Sequence, residues 1–201
     1  MSKNFYDLEN QERKSLAASI KVGAMCRVEK FDPDAMTVDV QPLSKVLDGG
    51  VYRIPPQVIG VPVSLIRGGG FVLRPWYAAG DVGVIVYLDH DIDRIVEAGQ
   101  ECQPNTERNH SGEDALFIGA FVPANKKLTG LPAQSLVMAP EGGNVYLAVT
   151  QSGIEIKGNI TIIGNITQEG RTDVTGDVTA QGKSLASHTH TCPHGGTSGP
   201  N

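Results

Sequence analysis

The sequence predicts a mainly β protein in which a small N-terminal barrel is followed by an intertwined β-helix needle built from three chains. Two features of the composition favour β structure over a helical bundle: glycine provides 24 of the 201 residues, and aromatic residues only 5%. The third observation is positional, because glycine recurs at every sixth residue from Gly158 to Gly182. A β-strand returns to the same face after six residues, and an α-helix does not.

Charge and hydropathy exclude several classes of protein. The formal net charge is −5, which argues against a nucleic-acid partner because such proteins present a basic surface. The longest apolar runs, such as residues 82–88, span seven residues, whereas a membrane-spanning helix needs about 20. No apolar stretch of a signal peptide opens the chain, so secretion is not expected. The cysteines, Cys26, Cys102 and Cys192, are predicted to be free thiols.

The first two predicted regions are an N-terminal arm, residues 1–22, and an OB-like barrel, residues 23–123. Apolar residues recur on one stripe of residues 7–20, which predicts a helix there. Five or so short strands alternate with turn sequences in the barrel region, and Asp32-Pro33-Asp34-Ala35 is typical of a tight turn. The strands are predicted at residues 24–31, 36–42, 58–66, 71–73, 82–88 and 116–122.

Residues 124–144 are predicted as a connector and residues 145–187 as a shaft of hexad repeats. One chain with five hexads would make fewer than two coils of a left-handed β-helix, too few to bury a core. Three chains wound around a shared axis can bury the same positions between them, so a homotrimer is favoured. The residues two and four positions after each glycine supply the predicted shaft core, which includes Ile160, Ile162, Ile166, Val174 and Val178.

Two histidines continue the hexad register into the last predicted region, residues 188–201. His188 takes the next glycine position, and His190 lies on the face that Ile160 occupies. Three chains would bring six imidazoles together, a ligand set that suits one octahedral metal ion per trimer. Fe²⁺ is the leading candidate, with Ni²⁺, Co²⁺ or Zn²⁺ also compatible. Such a closed site is predicted to be structural. Cys192 and His194 follow at a similar spacing and could be additional ligands, but Pro193 interrupts the strand, so a loop over this apex is expected.

Three segments resemble a known family, the central spike proteins of contractile phage tails and related injection machines. Residues 26–42 resemble the opening hairpin of the family's OB domain. Residues 108–115 are similar to its Arg-x-His…Asp-Ala segment. Residues 182–200, with His188-Thr189-His190, resemble the apex at which such spikes bind iron through histidines from three chains. The likeness is to the membrane-piercing branch, which lacks an enzymatic domain.

The resemblance implies a homotrimer rather than an enzyme. Its barrels would dock on the tail hub or tube proteins, at the tip of the baseplate in a virion assembled in the host cytoplasm. Its needle would point at the cell and pierce the host outer membrane when the sheath contracts. A closed β-shaft has no free sheet edge and resists bending, which suits that mechanical task.

Two other functions remain open from the sequence. The first is a left-handed β-helix enzyme, either an acyltransferase or a carbonic-anhydrase-like protein with a histidine metal site. Residues 89–93 hold acidic and histidine side chains, but a solvated loop is the expected structure there, and His110 is expected to be a hydrogen-bonded structural residue. The second is carbohydrate or nucleic-acid binding by the barrel, with Trp76 and Tyr77 as a stacking platform, although the acidic charge of the chain argues against nucleic acid.

Overall fold

A computed structural model of the chain describes residues 5–193 and 195–196. It contains two compact units, one that ends at Ile156 and one that begins at Lys157. Two helices are present in the described residues, α1 at Phe5–Ser19 and α2 at Asp93–Ala98. Helix α1 agrees with the predicted span of residues 7–20. No described helix is both long enough and apolar enough to cross a membrane.

The strands of the described residues are mostly short. In chain order they are β1 (Gly23–Asp32), β2 (Thr37–Pro42), β3 (Val46–Asp48), β4 (Val51–Arg53), β5 (Val58–Pro62), β6 (Ile66–Gly68), β7 (Phe71–Leu73), β8 (Val82–Tyr87), β9 (Ala115–Ala120), β10 (Leu136–Met138), β11 (Tyr146–Thr150), β12 (Gly153–Lys157), β13 (Thr179–Ala180), β14 (Lys183–Ser184), β15 (Thr191–Cys192) and β16 (Gly195–Gly196).

Five of these strands form the main sheet, in the order β5-β2-β1-β8-β9. Each neighbouring pair is antiparallel. The sheet curls into a half-barrel, and its two edges meet where Val63 forms a parallel bridge with Phe117. There the Ser64 N–H donates to the Phe117 carbonyl oxygen at 2.8 Å. The mainly β character predicted for this region is confirmed.

The core of the half-barrel is built by alternation along the strands. Cys26 and Val28 of β1 are fully buried, and their neighbours point outward. A β-bulge at Glu29 then changes the parity, so that Phe31 rather than Lys30 pairs with the inward-facing Val38. The other buried apolar residues are Val40, Val61, Val63, Tyr77, Ile85, Ala115 and Phe117.

Gly83 shows why one core position of β8 must lack a side chain. A Cβ atom at Gly83 would lie 2.5 Å from two carbons of the Phe117 ring, far inside van der Waals contact. The absence of a side chain at Gly83 leaves the space that this ring occupies. Phe117 also packs edge-to-face on Tyr77, with ring centroids 5.1 Å apart.

Two small hairpins lie outside the main sheet. Strand β3 pairs with β4, and β6 pairs with β7. Their two-residue turns, Gly49-Gly50 and Gly69-Gly70, have φ values of 56° and 82° and of 56° and 86°. Only glycine adopts this conformation readily, which explains the paired glycines. The predicted strand at residues 71–73 is confirmed as β7, but among the described residues it pairs with β6 and does not join the main sheet. Strands β3 and β4 were not predicted.

A separate three-stranded sheet, β10-β11-β12, follows the half-barrel in sequence. The predicted connector is thus not wholly irregular, since its residues Leu136–Met138 form β10. The predicted strand at 145–150 is confirmed as β11. In the second unit, β13 pairs with β14 and β15 with β16, and residues 158–178 form no strand. Within the described chain, the β-helix needle therefore stays a prediction.

Candidate functional site

A charged cluster fixes the segment between β8 and β9. Arg108 lies at its centre and forms a bidentate ion pair with Asp114. Its Nε donates to Oδ2 at 3.1 Å, and one terminal nitrogen donates to Oδ1 at 2.9 Å. The same terminal nitrogen is 3.3 Å from Asp91 and 3.2 Å from Asp93. These carboxylates come from the start of α2 and the residue before β9, so Arg108 ties two distant parts of the chain together.

The two inner carboxylates of this cluster are buried and hydrogen-bonded. Asp91 and Asp114 are 1% and 0% exposed. Asp91 accepts from the Thr106 hydroxyl at 2.6 Å and from the Asp93 N–H at 3.0 Å. The Thr106 hydrogen bond is the main cause that holds the pKa of Asp91 below its ordinary value. The hydrogen bonds to Asp114 in turn raise the pKa of Arg108.

The cluster therefore has a structural role. Asp91, Asp93 and Asp114 bring carboxylate oxygens within 4.8 Å of one another, but the guanidinium of Arg108 already supplies the cation among them. Buried carboxylates that are paired in this way fix a loop rather than take up substrate. The solvated loop predicted at residues 89–93 is wrong for Asp91, although Asp89 and His90 are exposed as expected.

His110 lies beside this cluster in an unusual conformation. Its φ is 48°, and its backbone N–H donates to the Asp89 carbonyl oxygen at 3.3 Å. Its ring Nδ1 is buried without a hydrogen-bond partner and lies 3.7 Å from the Asp89 carboxylate. The prediction that His110 is a hydrogen-bonded structural residue is therefore wrong for its ring atom Nδ1. The neighbouring His90 does form a ring contact, from Nδ1 to Asn109 Oδ1 at 2.8 Å.

The predicted aromatic platform divides between core and surface. Tyr77 is buried and packs edge-to-face on both Phe31 and Phe117, with ring centroids 5.5 and 5.1 Å apart. Its ring faces are therefore enclosed, and only Trp76 is exposed. The Cys26 thiol is also enclosed, and burial raises its pKa to about 11. Cys26 and Cys102 are free thiols, as predicted.

The hexad segment shows the predicted period in its backbone. Gly158, Gly164 and Gly170 have φ values of 128°, 139° and 114°, in a region that side chains rarely allow. The chain bends at each of these residues. Every predicted core position of the shaft is exposed within the single chain, at 43–70%: Ile160, Ile162, Ile166, Val174 and Val178.

The two predicted metal ligands lie next to each other at the end of the hexads. The rings of His188 and His190 have centroids 5.0 Å apart and stand nearly perpendicular, at 82°. Nδ1 of His188 is 3.0 Å from the Leu185 carbonyl oxygen. A hydrogen on Nδ1 would donate to this oxygen and leave Nε2 as a lone-pair donor, an arrangement common in metal-binding histidines. Among the described residues, one chain brings no third metal-ligating side chain to this pair.

The other two residues predicted at the apex are His194 and Cys192. His194 lies outside the described residues, and so does the side chain of Cys192.

One apolar surface was missed in the sequence. In strands β10 and β11, Leu136 pairs with Val149 and Met138 pairs with Leu147. These four side chains therefore share one face of the three-stranded sheet β10-β11-β12. A clue was available, because Ile154 of β12 stands in the hexad register, with Ser152 in place of the glycine.

Comparison with known proteins identifies the class to which the half-barrel points. Residues 25–119, slightly less than half of the chain, match the family model of the phage protein Gp138 N-terminal domain. The matched segment begins within β1 and ends within β9, so it includes all or most of each of the five strands of the main sheet. This match supports a phage structural protein of the baseplate or spike type, and hence a virion component. No curated protein matches the chain.

Proposed function

We propose that this chain is a non-enzymatic homotrimeric spike at the tip of a contractile phage tail, which pierces the host outer membrane. The match to a phage structural domain supports the setting. The observation on which the trimer depends is the hexad segment, in which glycines with positive φ recur at a six-residue spacing. The aliphatic side chains between them are exposed in one chain.

The exposed hexads favour a core that is shared between chains. Burial of one isoleucine side chain stabilises a folded structure by about 1.5–3 kcal/mol. Ile160, Ile162 and Ile166 are exposed in the single chain and so do not provide this stabilisation. Three chains around one axis would bury these side chains against each other. The segment has too few repeats to achieve the same burial by coiling on itself.

The apex is proposed to hold one metal ion per trimer. His188 and His190 of each chain would supply six imidazole nitrogens, a number that suits octahedral Fe²⁺. The preceding inward positions are small or polar, namely Ser184 and Ala186. The ion would therefore hold the three chains together where apolar burial has ended.

The half-barrel is proposed to dock on the tail hub or tube proteins. Its two side hairpins expose apolar side chains, among them Leu47 and Tyr52 of one and Phe71 and Val72 of the other. An isolated two-stranded hairpin is marginally stable in water. Contact with a protein partner would cover these side chains and stabilise the hairpins.

The proposal is tested by the native mass of the purified protein, with metal analysis of the same sample. We expect about 64 kDa by light scattering, three times the chain mass of 21.3 kDa, with about one iron ion per three chains. His188→Ala and His190→Ala should lose the metal. His90→Ala is the matched control, because His90 is exposed in the first unit and should leave the metal content unchanged.

A monomer would contradict the proposal. So would one metal ion per chain, because an open site on each chain would instead favour the β-helix enzyme.

A further inference from the structure

A cleft of about 440 Å³ opens where β8 begins and β9 ends, beside the single tryptophan of the sequence. Its lining comes from residues 76–82, from residues 120–126 and from Glu141. All of these residues belong to the first compact unit. The volume lies within the range of about 300–1,000 Å³ that is typical of small-molecule sites.

Backbone hydrogen bonds hold two walls of this cleft in place. The Gly80 N–H donates to the Val28 carbonyl oxygen, and the Val28 N–H donates to the Asp81 carbonyl oxygen, both at 2.8 Å. The Phe121 N–H donates to the Val82 carbonyl oxygen at 2.9 Å. These walls are therefore fixed in the folded chain, and a ligand would not have to order them on binding.

Trp76 presents a large, flat and apolar ring to the cleft. Its side chain is 70% exposed, and its ring stands perpendicular to the ring of Phe31, with centroids 5.5 Å apart. Phe31 packs in the same way on the buried Tyr77. The core thus supports the indole from one side, while most of its surface stays open to a flat apolar partner such as the C–H face of a sugar ring.

Three exposed polar side chains of the cleft, Asn125, Lys126 and Glu141, form no hydrogen bond or ion pair with any other side chain in the described part of the chain. The amide donates and accepts, the ammonium donates and the carboxylate accepts. Such a mixture around one aromatic ring suits a ligand with several hydroxyl groups, because each hydroxyl both donates and accepts.

Charge and hydrogen bonding favour a neutral saccharide over two other ligands. The cleft contains the carboxylates of Asp81 and Glu141 and one ammonium, that of Lys126, so it does not attract a phosphate-bearing ligand. A proline-rich peptide would also pack on Trp76. Proline has no N–H, so a proline-rich segment has few donors for the carboxylate of Glu141.

We propose that this cleft binds a neutral saccharide, with one sugar ring stacked on Trp76 and its hydroxyl groups hydrogen-bonded to Asn125, Lys126 and Glu141. The site differs from a platform of Trp76 and Tyr77, because the Tyr77 ring is enclosed and the free polar side chains provide the remaining contacts. Since the cleft is complete within the first unit of one chain, the proposal does not depend on the trimer or the metal.

The single tryptophan gives a direct measurement. Because no other residue of the 201 is tryptophan, indole fluorescence of the full chain reports on this cleft alone. The probes are chitotriose, maltotriose and cellotriose at millimolar concentration. We expect at least one of them to change the Trp76 emission saturably and to give a binding isotherm in calorimetry.

Three substitutions test the contacts by calorimetry with the saccharide that binds. Trp76→Ala should weaken binding by about tenfold or more through the loss of the stacked ring. Asn125→Ala and Glu141→Ala should each weaken it by about threefold to tenfold through the loss of a hydrogen bond. Glu101→Ala is the matched control, because Glu101 is exposed and lies outside the cleft.

Two results would overturn the inference. One is the failure of all three saccharides to bind, including the case in which only a proline-rich peptide changes the Trp76 emission. The other is equal affinity of Asn125→Ala, Glu141→Ala and Glu101→Ala for the saccharide. Native mass and metal content are measured separately, so neither result bears on the proposed spike.

Discussion

The half-barrel and the hexad segment both have sequences typical of β structure, yet they differ in how far one chain buries their apolar side chains. Ile85 of β8 is fully buried within its own chain, whereas Ile163 in the hexads is 99% exposed. The half-barrel closes through a bridge between Val63 and Phe117, while residues 158–178 form no strand. The half-barrel strands thus close within one chain, whereas the five hexads would bury their aliphatic side chains between chains in the proposed trimer.

The largest expected effect separates inward from outward positions of the hexads. Ile160→Asp should abolish the trimer, because three carboxylates would be buried around one axis without a cationic partner. Ile163→Asp should leave the trimer intact, since Ile163 lies at an outward position of the same hexad. Native mass measures both. Equal behaviour of the two variants would contradict a core shared between chains.

The next largest effect compares the same substitution in the two regions. Ile85→Ala should lower the free energy of unfolding by about 2–5 kcal/mol, because it leaves a cavity in the half-barrel core. Ile163→Ala should change it by less than about 0.5 kcal/mol. Denaturant unfolding, monitored on the barrel, gives both values. A large loss at Ile163 would show that this side chain is buried by something other than its own chain.

A smaller contrast is expected between arginines. Arg108→Ala leaves Asp91 and Asp114 buried without their cation, so the Tm of the half-barrel should fall markedly. Arg171 of the hexads pairs with Asp173 at 2.6 Å in full contact with solvent, and Arg171→Ala should cost less than about 1 kcal/mol. Calorimetry of both variants checks the contrast. Similar Tm values would mean that the Arg108 cluster is not a structural lock.

The smallest expected effect is on acid stability. The pKa of folded Asp91 lies below the ordinary value of 3.8, so its ionised form stabilises the fold above that pH. This contribution is lost as the pH falls through the folded pKa. Thr106→Ala removes the main cause of the lowered pKa, so the loss of stability at acid pH should be smaller than in wild type and should be complete at a higher pH.

Tm measured between pH 2 and pH 6 tests this shift. Thr129→Ala serves as the control, because Thr129 lies outside the cluster. Parallel curves for wild type and Thr106→Ala would show that the hydroxyl does not set the titration of Asp91.

Local patterns predicted the regular parts of the molecule. The turn after β1 was predictable because Asp32 and Pro33 have well-defined turn chemistry, and Asp32 Oδ1 indeed accepts from the N–H groups of Asp34 and Ala35 at 3.0 and 2.9 Å. Alternation likewise predicted β2, and an apolar run predicted β8. The backbone bends at Gly158, Gly164 and Gly170 follow from the spacing alone.

The remaining features depend on contacts that a local pattern does not encode. Strands β3 and β10 have three residues each, too few to show a period. The Arg108 cluster joins side chains from positions 91 to 114, with no repeat to reveal it. The apolar face of the sheet β10-β11-β12 was missed because Ser152 replaces the first glycine of the register.

The six-residue spacing of the bends has a consequence for how such a protein changes length during evolution. Removal or duplication of one whole repeat, for example residues 164–169, keeps every later side chain on its original face. Each such step alters the contour by about 20 Å of extended chain, and leaves both the half-barrel and His188 untouched. In the proposed spike, the length of the shaft could therefore change by insertion of whole repeats without any change of sequence in the half-barrel or at His188.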